Sequence, residues 1–241
     1  MEREQSEGLQ GVESTRQLLP SVVAAAHELK SPLVLIRQLA LGLEGAGSDQ
    51  ELAAQITLTA ERALRLTSDI TRQARLEDSF FSSEACQAYA VCHEVLGEIS
   101  PLFAAHGRAI RSKRSRRSSP LIVTNRDLLR RILLAFADNA LHYAGQSSDV
   151  ELRVSTVGST TVRFSVRDFG PSVPARLWER LQNDLGLRPQ AISARPLSSG
   201  LGLIIAKQFA DHIQATIGVI RHKNGATFYV DVPASSQLSL L

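Results

Sequence analysis

The chain has 241 residues, of which 44% are hydrophobic and 5% are aromatic, and its formal net charge is +3. This length fits one large domain or two small ones, and the few aromatics predict a core of Leu, Ile, Val and Ala. The small net charge excludes a generally basic, nucleic-acid-binding surface unless the basic residues are concentrated in one patch.

The N-terminal segment and the two cysteines indicate the compartment. The first residues, MEREQSEGLQGVEST, are polar and acidic, unlike a secretory signal peptide. No apolar run approaches the roughly 18 residues of a membrane-spanning helix, so we expect any membrane part to lie outside this chain. Cys86 and Cys92 lack the His/Cys spacing of a metal site. We therefore expect a reduced, cytoplasmic protein with a flexible leader over residues 1–14.

Two amphipathic helices are predicted after the leader. From residue 15 to residue 44 apolar side chains recur every three or four positions, and a second such stretch ends near residue 78. The glycine-rich segment EGAGSDQ joins them, which favours an antiparallel helical hairpin over residues 15–80. One hairpin leaves a wide apolar stripe uncovered, so we expect a homodimer in which two hairpins form a four-helix bundle.

The remainder, residues 85–235, mixes helical and strand patterns. Helices are predicted over 91–107, 125–144 and 199–213, with short strands at 109–111 and 121–123. Hairpins are predicted over 149–170 and 216–233, the second with Asn224 and Gly225 at its turn. These elements predict an α+β domain with helices on one face of a mixed sheet, and a domain boundary near residues 78–86.

A basic run extends from Arg111 to Arg117. It has no interleaved aromatic residues that could stack on bases, so we interpret it as a solvated loop rather than a nucleic-acid site.

The stretch AHELKSPL, residues 26–33, is the first candidate site. A lone histidine on a helix is usually structural, but Glu28 can accept a hydrogen bond from Nδ1–H of His27 and leave Nε2 as a nucleophile. Ser31 lies one turn further, on the same surface. Pro32 cannot donate to the Glu28 carbonyl, and a proline costs about 3 kcal/mol inside a helix, so a compensating reason is expected.

The stretch FADNALHYA places polar residues at one end of an apolar helix. These are Asp138, Asn139, His142 and Tyr143. An amide oxygen can ligate Mg²⁺ and an imidazole can reach a phosphate, while the alternative is an ordinary polar end of a buried helix.

Two glycine-containing stretches carry similar weak signals. In RDFGPSVP, Asp168 ends a strand shortly before Gly170, and its carboxylate could accept a hydrogen bond from an exocyclic amine such as that of adenine. A plain turn after a strand is the alternative. In SSGLGLIIAK, Gly200 and Gly202 precede an apolar helix, whose N-terminal N–H groups could bind an anion; a flexible helix start is the alternative.

In this order, the four stretches resemble the transmitter core of a bacterial sensor histidine kinase, with the Bergerat-type nucleotide-binding fold shared by gyrase, Hsp90 and MutL. HELKSPL resembles the H-box, DNALHYA the N-box, DFGPSVP the first glycine box and SGLGLIIAK the second. RLWERL at 176–181 lies where the family has its F-box, and GATFYVDVP resembles the closing strand. The resemblance covers roughly residues 15–233.

The resemblance implies an ATP-dependent histidine autokinase of a two-component system. His27 would be phosphorylated and would pass the phosphoryl group to an aspartate of a response regulator. Glu28 would act as general base, Ser31 would assist transfer or phosphatase activity, and Pro32 would let the bundle bend. An upstream sensor or input partner is also implied. The implied ATP site consists of Asn139 as the Mg²⁺ ligand, His142, Tyr143, Asp168, Gly170, Gly200, Leu201 and Gly202.

The chain departs from the family pattern at several positions. Ala135 stands where the N-box usually has a second Asn, and Ser172 and Ser198 stand where glycines are usual. Trp178 is the remaining F-box aromatic, and the segment from Leu181 to Ser199 is short and contains two prolines, Pro189 and Pro196. These departures leave an alternative: a degenerate kinase that acts as a non-catalytic dimerisation or docking module for a regulator or another kinase.

Overall fold

The computed structural model describes residues 82–113, 120–143, 149–187 and 201–234, together with isolated positions between residues 33 and 69. These residues belong to two compact units. In the first, each described position is helical, and the Thr67 hydroxyl donates to the Ala63 carbonyl oxygen at 2.8 Å. The leader and the predicted turn at 44–50 lie outside the described residues, so the hairpin and its four-helix bundle stay predictions.

The second unit confirms the predicted α+β class. Its elements in chain order are β1 (Glu84–Gln87), α1 (Ala88–Ala105), β2 (Ile110–Lys113), β3 (Leu121–Thr124), α2 (Arg126–Tyr143), β4 (Val150–Val157), β5 (Thr161–Arg167), α3 (Ala175–Asp184), α4 (Leu201–His212), β6 (Thr216–Arg221) and β7 (Ala226–Pro233).

Five strands form a mixed sheet in the order β2-β4-β5-β7-β6. The β4–β5 and β6–β7 hairpins are antiparallel as predicted, and β5 pairs antiparallel with β7 to join them. Only β2 runs parallel to its neighbour, β4. The pairing of β5 with β7 places the end of β5 beside the start of β7, where Arg167 faces Thr227.

One face of this sheet forms the core. The side chains that alternate along the central strands are almost completely buried: Val150, Leu152 and Val154 in β4, Val162, Phe164 and Val166 in β5, and Phe228, Val230 and Val232 in β7. Helices α1 and α2 pack against the sheet, and the rings of Phe136 and Phe228 lie 5.8 Å apart. The apolar face that the strands form by alternation therefore packs against the apolar stripe of the helices, and the two make one buried layer.

Helix α2 is held at its start by local polar contacts. The Asn125 side-chain oxygen accepts a hydrogen bond from the Leu128 amide at 2.9 Å, which satisfies one of the free N–H groups of the first turn. Arg126 pairs with Glu94 and Arg130 with Glu98 of α1. These ion pairs fix the two helices side by side along their polar faces.

Two elements were not predicted from the sequence. Strand β1 pairs antiparallel with β3 in a separate two-stranded sheet, and its four residues are too few to show a period. Helix α3 contains the RLWERL stretch and begins after Pro174, whose carbonyl oxygen accepts a hydrogen bond from the Trp178 amide at 2.9 Å. The helices and strands that were predicted within residues 85–235 are confirmed, with ends shifted by a few residues.

Gly186 connects the end of α3 to the side of α4. Its φ is +74°, and a Cβ atom there would overlap Lys207 and lie 2.7 Å from the Leu203 carbonyl oxygen. A glycine is therefore required for the backbone to approach α4 this closely.

Cys86 and Cys92 are both free and buried. Burial raises the pKa of Cys92 to about 12, so this thiol stays protonated and acts as a small apolar side chain. Within the described ranges, no helix is both long and apolar enough to span a membrane.

Candidate nucleotide-binding site

The carboxylate of Asp168 lies at the end of β5, and the residue is 3% exposed. Its Oδ1 accepts a hydrogen bond from the Gly170 amide and its Oδ2 accepts one from the Ala226 amide, both at 3.0 Å. A buried carboxylate without partners would be costly, so these two backbone donors fix both its position and its direction.

Burial raises the pKa of the Asp168 carboxyl, while the hydrogen bonds from Gly170 and Ala226 and the charge of Arg167 act in the opposite direction. Each carboxylate oxygen accepts one backbone hydrogen bond and keeps further acceptor capacity. The two backbone hydrogen bonds thus orient the carboxylate, and each of its oxygens can still accept a hydrogen bond from a further donor. These properties fit the predicted recognition of an exocyclic amine.

Gly225 in the β6–β7 connection packs directly against Asp168. Its φ is +97°, and a Cβ atom there would overlap the Asp168 carbonyl oxygen and Oδ1 and lie 2.9 Å from the Gly170 nitrogen. Asn224 and Gly225 were predicted at the turn, and both lie in the connection between Arg221 and Ala226, named here the 222–225 loop. The glycine therefore serves both the turn and the contact with the site.

Asn139 occupies the last part of α2, as predicted. Its side-chain Nδ2 is buried and has no hydrogen-bond partner among the described residues. Such an orphaned amide fits a side chain whose partner is a ligand, and its oxygen is a suitable Mg²⁺ donor. Nowhere in the described ranges do three His, Cys, Asp or Glu side chains group as a metal site. Mg²⁺ commonly takes one or two protein ligands and completes its shell with phosphates and water.

Gly202 is the second residue of α4 and faces α2. A Cβ atom there would lie 4.0 Å from the Cβ of Ala135, and no closer heavy atom belongs to the described residues beyond the backbone of α4 itself. The described residues therefore leave space beside Gly202, where a ligand phosphate could meet the N-terminus of α4. Ala135, which replaces the second N-box Asn, contributes only a methyl group to this space.

The remaining predicted site residues are described in part or not at all. His142 and Tyr143 are the last residues of α2 and Leu201 is the first of α4, but their side chains are outside the description. The residues outside the description also include His27, Glu28, Ser31, Pro189, Pro196, Ser198 and Gly200. Their roles stay predictions.

Sequence reasoning missed the residues that support Asp168. Arg167 Nη1 donates to the Asp168 carbonyl oxygen and, at 3.3 Å, to that of Ala226. Its Nη2 donates to the Asn224 carbonyl oxygen at 2.8 Å and to Asn224 Oδ1 at 2.9 Å. The Asn224-Gly225 pair marked the turn, but nothing in the sequence indicated that this turn would lie against Asp168.

The comparisons with known proteins agree with this geometry. Residues 124–236 match the family described as histidine kinase-, DNA gyrase B-, and HSP90-like ATPase. The swarming motility regulation sensor protein RssA of Serratia marcescens is 28% identical over 88% of this chain and 45% of its own length. The sensory histidine kinase/phosphatase NtrB of Rhizobium leguminosarum bv. phaseoli is 30% identical over 89% and 58%. The chain thus spans about half the length of these curated relatives.

Solved structures share the fold. Acinetobacter baumannii histidine kinase AdeS is 18% identical, with a TM-score of 0.59 over 87% of this chain and 98% of that one. Histidine kinase ThkA, in complex with response regulator protein TrrA, is 16% identical, with a TM-score of 0.64 over 99% and 68%. The match of residues 124–236 to this ATPase family, together with the histidine kinase relatives and structures, supports the ATP-binding core of a sensor histidine kinase in this chain.

Proposed function

We propose that this chain is an ATP-dependent histidine autokinase of a two-component system, which phosphorylates His27 and transfers the phosphoryl group to an aspartate of a response regulator. The buried Asp168 carboxylate carries the proposal. It is fixed by two backbone amides and retains acceptor capacity, as the recognition of the adenine amine requires.

The described residues support specific roles in binding ATP. Asp168 accepts a hydrogen bond from the adenine amine, and Gly170 holds the carboxylate in that direction. Asn139 offers its amide oxygen to Mg²⁺, which neutralises phosphate charge when bound. Gly202 leaves room at the start of α4, so that backbone N–H groups approach the phosphates. His142, Tyr143, Gly200 and Leu201 would complete the site.

The transfer step is assigned to the first unit. The Nε2 lone pair of His27 attacks the γ-phosphorus, a nitrogen–phosphorus bond forms, and the bond to the bridging oxygen breaks as ADP leaves. Glu28 holds the Nδ1 proton and so keeps Nε2 unprotonated. Ser31 assists transfer or phosphatase activity, and Pro32 loosens the helix around His27. Positioning and charge neutralisation supply most of the catalysis in such reactions.

The partners proposed are a second copy of the chain, a response regulator receiver domain and an upstream sensor or input partner. The regulator is supported by the structure of ThkA in complex with response regulator protein TrrA, which aligns with 99% of this chain. An input partner agrees with relatives that are about twice as long as the aligned part. We place the protein in the cytoplasm and propose no nucleic-acid partner. Arg111 and Lys113 of the basic run pair instead with Asp149 and Glu151.

A second candidate is a degenerate kinase that only dimerises or docks a partner. The observation in its favour is Ala135, whose methyl group faces Gly202 where the family usually has an amide. Loss of that amide removes one polar group from the proposed phosphate region.

Phosphorylation with γ-labelled ATP separates the candidates. We expect a label that is acid-labile and base-stable, that disappears in His27→Ala and that persists in His93→Ala. His93 is an exposed histidine on α1 and serves as the matched control. ATP binding without any label would favour the docking module. A chain that binds no ATP at all would contradict the enzymatic proposal.

A further inference from the structure

The 222–225 loop forms one wall around Asp168. Gly225 lies against the Asp168 main chain and carboxylate, and the next residue, Ala226, donates its amide to Oδ2 at 3.0 Å. Any displacement of this loop would therefore change both the packing and one of the two hydrogen bonds that orient the carboxylate. Contacts that fix the position of the loop therefore also fix the orientation of the Asp168 carboxylate.

Arg167 connects the loop to the end of β5. One arm of its guanidinium donates to the carbonyl oxygens of Asp168 and Ala226, and the other donates to the carbonyl oxygen and Oδ1 of Asn224. The guanidinium carbon also lies 4.5 Å from the centroid of the Phe169 ring. All four acceptors are uncharged oxygens, so this arginine acts here through the geometry of its planar fork rather than through an ion pair.

Ser172 holds the opposite end of the same loop. Its hydroxyl donates to the His222 carbonyl oxygen at 3.1 Å, while His222 Nε2 lies 2.9 Å from Thr227 Oγ1. The loop is therefore attached at its first residue by Ser172 and at its third by Arg167. Both attachments come from the segment that contains Asp168.

We propose that Arg167 is a positioning residue for recognition of the nucleotide base. Its hydrogen bonds to Asn224 hold the 222–225 loop against Asp168 and so fix the direction of the carboxylate. This inference rests on the proposed function, because it assumes that Asp168 meets the exocyclic amine of adenine. Arg167 itself is not assigned any contact with the nucleotide.

The test compares ATP with inosine triphosphate, which carries an oxygen in place of the exocyclic amine. Calorimetric titration of the full chain measures both dissociation constants. In Arg167→Gln we expect the ATP affinity to fall about tenfold while the affinity for inosine triphosphate changes less than about twofold, so that the preference for ATP is lost. A general loss of structure would weaken both nucleotides alike.

Two further variants test the fork. Arg167→Lys keeps the charge but cannot reach four acceptors in one plane, so it should resemble Arg167→Gln. Asn224→Ala removes one acceptor on an exposed loop and should shift the ATP preference by about threefold. Since Arg167 acts through Asn224, the effect of Arg167→Gln should be smaller in the Asn224→Ala background.

Arg153→Gln is the matched control. Arg153 lies on β4, and its contact with Glu151 at 3.5 Å does not involve the 222–225 loop. It should leave both affinities unchanged, which separates the fork from the loss of one positive charge on the domain. Should Arg167→Gln not fold, Asn224→Ala and Arg167→Lys carry the test.

The possible outcomes separate the proposed function of the chain from the role of Arg167. Wild-type protein that binds no ATP would overturn the proposed function and this inference together. Wild-type protein that prefers ATP, with the same preference in Arg167→Gln, Arg167→Lys and Asn224→Ala, would overturn the role of Arg167 alone. An equal loss of affinity for ATP and inosine triphosphate would also overturn this role, because it would show that Arg167 supports the folded structure in general and not the recognition of the base.

Discussion

Asp168 and Ala226 exchange two hydrogen bonds: the Asp168 amide donates to the Ala226 carbonyl oxygen and the Ala226 amide donates to Asp168 Oδ2, both at 3.0 Å. The first bond is an ordinary contact between neighbouring strands, and the second extends it to a side chain. The carboxylate is thereby attached directly to the start of β7. Changes at the start of β7 should therefore be measurable at Asp168.

The first prediction concerns the pH dependence of stability. Because burial raises the pKa of Asp168 in the folded protein, the folded state binds this proton more tightly than the unfolded chain does. The resulting stabilisation is complete below the unfolded pKa and is lost as pH rises through the folded pKa. Relative to wild type, Asp168→Asn should therefore gain stability as pH rises through that window. Urea unfolding of both proteins across a pH series measures the difference, and a slope of opposite sign would contradict the assignment.

The second prediction separates backbone strain from contact. Gly225→Ala should lower the free energy of unfolding by about 3 kcal/mol, since it adds strain at positive φ and overlap with Asp168. Gly158→Ala is the control, because its φ is +63° with no atom within 4 Å, and it should cost only about 1–2 kcal/mol. Denaturant unfolding measures both. Equal losses would show that the overlap with Asp168 carries no energy.

The third prediction tests whether Gly202 is required by the fold or by the ligand. In Gly202→Ala the new methyl group would make an ordinary contact with Ala135 at 4.0 Å. The change should therefore stabilise α4 by up to about 1 kcal/mol and yet weaken ATP binding. Thermal unfolding and nucleotide titration measure the two effects.

Gly97→Ala in α1 provides the comparison for that experiment. Its added methyl group meets nothing within 4 Å, so this substitution is equally free of overlap. It should stabilise the domain to a similar extent and leave ATP affinity unchanged. Unaltered ATP binding in Gly202→Ala would remove the glycine from the proposed site.

The fourth prediction concerns Ser172, which replaces a glycine of the family pattern. In the sequence, this serine is one of the departures that leave a degenerate kinase as the alternative, but its hydroxyl holds the 222–225 loop through the His222 carbonyl oxygen. Ser172→Gly should therefore lower ATP affinity about twofold to threefold. Ser172→Ala should act in the same direction without added backbone freedom. A rise in ATP affinity in Ser172→Gly would support the sequence-based expectation instead.

The α+β class and most elements could be predicted because their patterns are local. The alternation of Leu152 and Val154 in β4 and the apolar stripe of α2 follow from the periods of a strand and a helix. The pairing of β5 with β7 joins segments far apart in sequence, and no local period encodes it. The four residues of β1 are too short to show a pattern at all.

The site divides in the same way. Asp168 and Gly202 were predicted because they belong to a recognisable order of stretches along the chain. The support from Arg167 depends on the 222–225 loop reaching the end of β5, which only the sheet pairing brings about. An arginine at the end of a strand is otherwise an unremarkable surface residue. The sequence therefore indicated the groups that we propose for the ligand site, but not the residues that hold these groups in place.

The backbone of Gly186 lies close to the carbonyl oxygen of Leu203, so two positions that are far apart along the chain are adjacent in space. Gly186 and Leu203, which lie on either side of the segment 188–200, are thus held together by the described framework. Closing a longer loop between fixed ends costs only about 0.6 kcal/mol for each doubling of its length. Insertions within residues 188–197, which leave Gly200 of the proposed site unchanged, should therefore leave the described domain folded, so a fluorescent or affinity tag placed there should be tolerated.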